Sequence, residues 1–207
     1  MQNHAADALN KNAAEWGKPK ILALAGSARK NSLNKRLLAV AARAADAAGG
    51  EVTLIDLADY PMPIYHGDLE AAEGIPENAR ALKTLFKMHR GLLIASPENN
   101  ASVSALLKNT LDWISRQDGA ESGLAPYRGK VAALFTATPS PRGGVRAIPH
   151  LRAILDALGV LVLPGHVGIA LADKAFGADG ALTDARHLAA VDSLAKRLVQ
   201  TIGPLAD

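Results

Sequence analysis

Five short apolar runs recur along the chain, and stretches with helical spacing of apolar residues separate them. Continuous apolar runs, in contrast to alternating ones, are typical of parallel strands that helices cover on both faces. They predict strands over 20–25, 51–56, 91–96, 130–137 and 160–163, and 167–171 is a candidate continuation of the last.

The helical stretches predict five helices, over 33–48, 76–90, 103–114, 145–158 and, after Thr183 as N-cap, up to 202. Gly49 and Gly159 are typical helix stops. The stretch 57–74 contains Pro61 and Pro63 and is predicted to be a long loop. His89 falls on the apolar stripe of its helix, so we expect it to be a partly buried structural residue.

Strand and helix alternate five times, which predicts a doubly wound, three-layer α/β/α fold with a five-stranded parallel sheet. We expect a single domain over 19–207, preceded by a polar extension over 1–18. That extension lacks the basic start and apolar stretch of a secretory signal. No apolar run approaches the roughly 18 residues of a membrane span. We therefore expect a cytoplasmic protein without a membrane partner.

Composition excludes several kinds of chemistry. The 207 residues include no Cys, so disulfides, iron–sulfur ligation, Cys-type zinc sites and a thiolate nucleophile are excluded. The six His show no metal-binding spacing, and we expect no metal. The net charge is only +3 and aromatic residues make up 4%, without a basic tract, so we expect no nucleic-acid partner.

In such sheets ligands lie beyond the carboxyl ends of the strands. The first strand leads into Gly26–Asn34 (GSARKNSLN), which opens a helix. Helix N-terminal N–H groups and an Arg fork suit a phosphate. The loop has neither three glycines for a dinucleotide fingerprint nor a P-loop pattern. The alternative is a helix capped by Ser32 with Arg29 and Lys30 in solvent.

The third and fourth strands also end in polar loops. Pro97 stiffens the loop 96–102, and its two Asn tolerate left-handed backbone and expose peptide groups to a flat polar ring. The alternative is an ordinary turn with Ser102 as N-cap. The loop 136–144 is small and Gly-rich, so its backbone is expected to approach a ligand closely; the alternative is a surface connection.

These residues carry a family resemblance. Gly26–Asn34 resembles the G-S-x-R-x-x-S-x-N loop of the NADPH-dependent FMN reductase family, flavodoxin-like flavoproteins that reduce quinones, azo dyes, chromate or free flavin. Residues 96–115 (SPENNASVSALLKNTLDWIS) resemble its S-P-E-Y-N-x-S-x-P-x-x-L-K-N-x-x-D-W-x-S block. Residues 138–151 resemble its Gly-rich third loop and Arg-containing helix. The resemblance covers the chain from about Lys20 to its end.

The resemblance implies an oxidoreductase that passes a hydride from NADPH or NADH to FMN and on to a small-molecule acceptor. Flavin carries that chemistry, so no catalytic acid or base is expected of the protein. Open alternatives are an electron carrier without nicotinamide reductase activity and a flavin-free interaction module. The implied cofactor-binding residues are Ser27, Arg29, Ser32, Leu33 and Asn34 around the phosphate, Pro97, Glu98, Asn99 and Asn100 along the ring, and Thr138 and Gly143 opposite.

The chain departs from the family pattern where Asn99 replaces the usual Tyr and Ser104 replaces a Pro. Losing the aromatic ring is expected to weaken FMN retention, to open the pocket to a bulkier acceptor or to shift the flavin's potential. The family also implies a homodimer or homotetramer, with Asp112 and Trp113 as candidate contacts, although Trp113 suits the core equally. Arg142 and Arg146 either bind the 2′-phosphate of NADPH or lie in solvent. The sequence therefore does not decide between NADPH and NADH as the electron donor.

Overall fold

A computed structural model describes residues 17–203, so the predicted extension 1–18 lies almost wholly outside the described residues. The strands are β1 (Lys20–Ala25), β2 (Glu51–Ile55), β3 (Gly91–Ala95), β4 (Val131–Ala137), β5 (Leu161–Val162) and β6 (Val167–Ile169). The pairings between these strands are all parallel, in the order β2-β1-β3-β4-β5, and β6 also pairs with β4. Two short strands therefore share the predicted fifth position.

Helices cover both faces of the sheet, as the apolar runs predict. One buried cluster joins the sheet to the first and last helices, and a second joins its other face to three central helices. The three-layer α/β/α fold is confirmed. The helices are α1 (Leu33–Ala47), α2 (Gly67–Glu73), α3 (Glu77–Met88), α4 (Ala105–Ile114), α5 (Ala147–Ala157) and α6 (Ala185–Ile202).

Several predicted boundaries are wrong, each for a local reason. Ser104 caps α4 in place of Ser102, because Ser102 pairs with Asn99 in a turn. Asp184 caps α6, since the Thr183 hydroxyl bonds the Ala175 carbonyl. The helix predicted from 145 begins at 147.

The predicted loop 57–74 contains a 3₁₀ turn over 57–59 and the short helix α2. None of the residues of α2 is buried, so no apolar stripe marked it in the sequence. Its N-terminus is capped by the ring Nδ1 of His66, which accepts from the Leu69 N–H at 3.3 Å. His89, by contrast, is a buried structural residue as expected, hydrogen-bonded to Leu85 and Thr53.

Strand order reverses at β1, which lies between β2 and β3. The chain leaves β1 and β3 toward opposite faces of the sheet, because α1 and α4 belong to different layers. Such a switch point opens a crevice at the carboxyl edge. No helix within residues 17–203 is long and apolar enough to cross a membrane.

Candidate functional site

A pocket of about 450 Å³ opens at the switch point, between the loops that follow β1, β3 and β4. Asn100 and Gly143 do not line this pocket: Asn100 faces a neighbouring groove, and Gly143 is buried within the third loop. The predicted site residues that line it are Ser27, Arg29, Ser32, Leu33, Asn34, Pro97, Glu98, Asn99 and Thr138.

Gly26 brings the first loop against α4. Its N–H donates to the Ala95 carbonyl at 2.9 Å, and its carbonyl accepts from the Ser104 hydroxyl at 2.6 Å. A Cβ on Gly26 would lie 2.8 Å from the Cβ of Leu107, so only glycine allows this approach. Ser104 therefore both caps α4 and ties it to the loop after β1, which the sequence did not indicate.

The N-terminus of α1 faces the pocket and is electropositive. The Ser32 oxygen accepts from the Lys35 N–H at 3.5 Å, and the first N–H groups of a helix have no partner within it. Arg29 stands exposed beside them, and no carboxylate among residues 17–203 pairs with it. Free amides, a helix dipole and an unpaired guanidinium together suit an anionic group.

Asn34 differs from its neighbours in the loop, because its side-chain amide is hydrogen-bonded to the backbone of β4 and does not face the pocket with free donors. Its Nδ2 donates to the Ala137 carbonyl at 2.8 Å, and its Oδ1 accepts from the Ala137 N–H at 3.0 Å. The side chain is only 3% exposed. Asn34 thus extends the sheet edge from the first turn of α1 and fixes where the loop after β4 begins.

The loop after β3 contains a tight turn over 99–102. Asn99 and Ser102 each donate their N–H to the other's carbonyl at 3.0 Å. The two central residues, Asn100 and Ala101, have φ of 49° and 66°. Asn adopts the left-handed region readily, but for Ala it costs roughly 1 kcal/mol. The turn is therefore strained at its tip, beside the pocket.

Glu98 directs its carboxylate to the N-terminus of α5. Its oxygens accept from the Arg146 backbone N–H at 2.9 Å, from Nε at 2.8 Å and from the second guanidinium nitrogen. These hydrogen bonds with Arg146 lower the pKa of Glu98 and keep it ionised. Arg146 is therefore paired, whereas Arg142 stays exposed without a carboxylate partner among the described residues.

The loop after β4 is built from backbone contacts. The Thr138 N–H donates to the Ile169 carbonyl at 3.0 Å, and its hydroxyl accepts from the Ser140 N–H at 3.2 Å. Gly143 and Gly144 both have positive φ, and a Cβ on Gly144 would lie 2.2 Å from the Thr136 hydroxyl. The glycines of this loop are therefore needed for the course of its backbone, as the sequence predicts for a small, Gly-rich loop.

The L-K-N-x-x-D-W stretch fixes the loop after β2 to α4. The Asn109 side chain binds the Tyr65 N–H and the Pro63 carbonyl, and the Trp113 indole donates to the same carbonyl at 2.8 Å. Trp113 is fully buried, which favours its core alternative over a subunit contact. Asp112 pairs with Lys108 at 2.7 Å on the surface of α4.

Comparison with known proteins agrees with this geometry. The family model described as NADPH-dependent FMN reductase matches residues 19–174. A quinone reductase of Escherichia coli is 32% identical over 169 residues, which cover 81% of this chain and 86% of that protein. An NAD(P)H-dependent FMN reductase of Pseudomonas aeruginosa is 34% identical over 166 residues, covering 80% and 85%.

Solved structures show the same architecture. A flavoenzyme NAD(P)H:(acceptor) oxidoreductase of Paracoccus denitrificans has a TM-score of 0.73 at 26% identity, covering 89% of this chain and 97% of that one. A flavodoxin from the domain Archaea has a TM-score of 0.59 at 11% identity, covering 88% and 98%, and so shows the fold alone.

Proposed function

The chain belongs to the NADPH-dependent FMN reductase family, and from this premise we propose that it is a quinone reductase. It is an oxidoreductase that uses FMN and NAD(P)H. The observation that carries the proposal is the crevice at the β1/β3 switch point, whose electropositive rim is formed by α1 and Arg29. The relatives named as quinone reductases support the choice of acceptor.

The phosphate end of FMN fits the first loop. In this proposal Arg29, Ser27, Ser32 and the amide of Leu33 bind the phosphate, because they combine an unpaired cation, two hydroxyls and free N–H groups at a helix N-terminus. Asn34 does not bind the phosphate in this proposal, because both ends of its side-chain amide are already hydrogen-bonded to the backbone of Ala137. It contributes by holding the end of β4 in place.

The ring end fits between the other two loops. In this proposal Pro97 and Asn99 line one side, and the backbone around Thr138 and Gly143 shapes the other. Asn100 acts only through the turn that it shares with Asn99, since it faces the neighbouring groove. Glu98 contributes by holding Arg146. FMN, when bound, supplies the hydride and electron transfer, so the protein's task is to bind, orient and leave one face open to donor and acceptor.

An anaerobic titration of the FMN-loaded protein with NADPH, followed by its visible spectrum, tests the reductase proposal. We expect the oxidised flavin bands to bleach rapidly. Flavin that binds but stays oxidised would instead support an electron carrier. Failure to bind FMN would support the flavin-free alternative.

The acceptor is tested by reoxidising the reduced protein. A benzoquinone is expected to restore the flavin bands faster, per molecule of acceptor, than an azo dye, chromate or free FMN. A faster reaction with any of these three would replace quinone as the proposed acceptor class. Parallel titrations with NADH and NADPH identify the donor. Arg142, in the third loop, is exposed and has no carboxylate partner among the described residues, so it is the candidate partner of a 2′-phosphate.

Replacing Arg29 with Ala is expected to weaken FMN binding by about 2 kcal/mol, as for a lost charge-assisted hydrogen bond. Calorimetric titration of the apoprotein with FMN measures this loss. Arg128→Ala is the matched control, because Arg128 is also exposed but precedes β4 at the opposite edge of the sheet. Equal affinities of the Arg29 variant and the wild type would mean that the phosphate is held elsewhere.

Replacing Asn99 with Tyr restores an aromatic surface beside the ring. We expect tighter FMN binding or a narrower range of acceptors, because a planar side chain stacks on the flavin and closes part of the pocket. FMN affinity and the KM for acceptors of increasing size are compared with the wild type. Identical values would exclude a role for this side chain.

We also propose self-association into a homodimer or homotetramer, which the family resemblance supports, and a cytoplasmic location, which the bacterial reductase relatives support. Sedimentation equilibrium measures the first. A monomer at micromolar concentration would exclude it.

A further inference from the structure

Two contacts from the start of α5 reach the turn over 99–102, one on each side of it. Glu98 binds Arg146, and the Ser102 hydroxyl lies 2.8 Å from Nδ1 of His150. Both contacts join residues 48 positions apart. Because Arg146 and His150 are four residues apart at the start of a helix, they lie on one face of it. We call these two contacts the clasp.

The turn that the clasp holds cannot be stable by local preference alone. Its two central residues have positive φ, and one of them is Ala101. Its two cross-turn hydrogen bonds are near the surface, where water competes for them. A strained segment persists where surrounding structure fixes it, and within the described residues the long-range side-chain hydrogen bonds of 98–102 are those of the clasp.

The turn is also a wall between two spaces. Asn99 lines the pocket at the switch point, and Asn99, Asn100 and Ser102 line a neighbouring groove of about 690 Å³ along α4 and α5. A shift of the turn therefore changes both spaces together. His150 lines the groove as well, so the clasp fixes the groove's opposite side.

We propose that Arg146 and His150 are positioning residues, which hold the strained turn so that Asn99 keeps its place beside the flavin ring. This inference rests on the proposed function. The Glu98 arm is the stronger one, because the carboxylate is only 9% exposed and accepts from both backbone and guanidinium. The Ser102 arm is exposed and holds the turn at a second point.

Two double-mutant cycles test the clasp: Glu98→Gln with Arg146→Met, and Ser102→Ala with His150→Ala. FMN dissociation constants of the apoproteins are measured by flavin fluorescence. We expect each Glu98-arm variant to raise the constant about tenfold and each Ser102-arm variant about threefold. Within each pair, the FMN dissociation constant of the double variant is expected to be no higher than that of the weaker-binding single variant. Each single substitution already removes the whole contact, so the second substitution has nothing further to remove.

A readout without flavin accompanies the cycles. Hydrogen exchange of the Asn99 and Ser102 amides reports the cross-turn bonds directly, and we expect faster exchange in every clasp variant. Asp118→Asn is the control, since it breaks a surface ion pair with Arg80 that is not part of the site. It is expected to leave the FMN constant and both amides unchanged.

The outcomes separate the two proposals. If the wild-type protein does not bind FMN, the proposed function fails, while amide exchange still decides whether the clasp holds the turn. If Glu98→Gln weakens FMN binding and Arg146→Met does not, Glu98 contacts the flavin directly and the clasp is refuted. Additive effects within both pairs, or unchanged exchange, refute it as well. The Ser102 arm is exposed, so its variants keep the fold and the test stands even if the Glu98 variants unfold.

Discussion

Replacing Asn34 with Ala is expected to lower the free energy of unfolding by about 3 kcal/mol. The change leaves the N–H and C=O of Ala137 without their side-chain partners in a buried position. Each buried backbone group left unsatisfied costs about 1–3 kcal/mol. FMN binding is expected to weaken as well, because Ala137 is the last residue of β4 and sets the start of the loop that carries Thr138.

Urea denaturation of the apoprotein measures the stability, and fluorescence titration measures FMN affinity. Asn78→Ala is the control, because the Asn78 amide also donates to a backbone carbonyl, that of Pro61, but at an exposed site. Its loss is expected to stay below about 1 kcal/mol, since water replaces the partner. Equal losses of unfolding free energy in the two variants would show that the buried Asn34 amide stabilises the fold no more than an exposed one does.

Asn34 shows where prediction from sequence succeeds and where it ends. Its place in the loop after β1, and the place of that loop at the switch point, follow from the apolar runs and the helix start at Ser32. Its partner does not, because Ala137 lies 103 residues away and is an ordinary Ala at the end of a strand, with nothing in its type that marks it as a partner. The spacing of apolar residues predicts which face of a helix or strand is buried. It does not predict which atom a given polar side chain contacts.

The same limit applies to the other long-range contacts of the site. Arg146 could be identified as a cation near a ligand loop, yet its pairing with Glu98 depends on how α5 packs beside the loop after β3. Helix starts were misplaced for a related reason. Ser102 and Thr183 are good N-caps by residue type, but tertiary partners occupy them, and Ser104 and Asp184 take the role.

The contacts of the site have a common design. Ser104 on Gly26, Asn34 on Ala137 and Glu98 on Arg146 each tie the loop of one strand to the backbone of another element. These contacts join the three loops into one rim, and fixed positions of that kind are what a cofactor that performs the chemistry requires of its protein. Because these side chains are hydrogen-bonded within the protein, few polar side chains of the rim keep unpaired donors for a ligand. Arg29 is the main one among the described residues.

At the opposite edge of the sheet, Lys130 is expected to reduce stability at neutral pH. It is 5% exposed at the start of β4, and no ion pair of its amine occurs within residues 17–203. Burial, with a smaller contribution from the charge of Arg90, lowers the pKa of Lys130 from 10.5 to about 8. The folded protein thus binds this proton more weakly than the unfolded chain does.

Below pH 8 both states carry the proton, and the folded state bears the full penalty. Between about pH 8 and 10.5 the folded state releases the proton first, so this contribution to stability rises with pH. A difference of two to three pKa units corresponds to about 3 kcal/mol. Lys130→Met keeps an unbranched apolar stem and removes the charge, so it is expected to stabilise the protein by about that amount at pH 7.

The stabilisation by Lys130→Met is expected to disappear as pH rises from 8 to 10.5, because the wild-type amine is then neutral in the folded state. Urea denaturation of both proteins across this range measures the difference, in which the titration of all other groups cancels. Lys196→Met, at an exposed position on α6, is the control and is expected to change stability by less than about 0.5 kcal/mol. A stability difference for Lys130→Met that stays constant from pH 7 to 10.5 would mean that packing and not charge causes it.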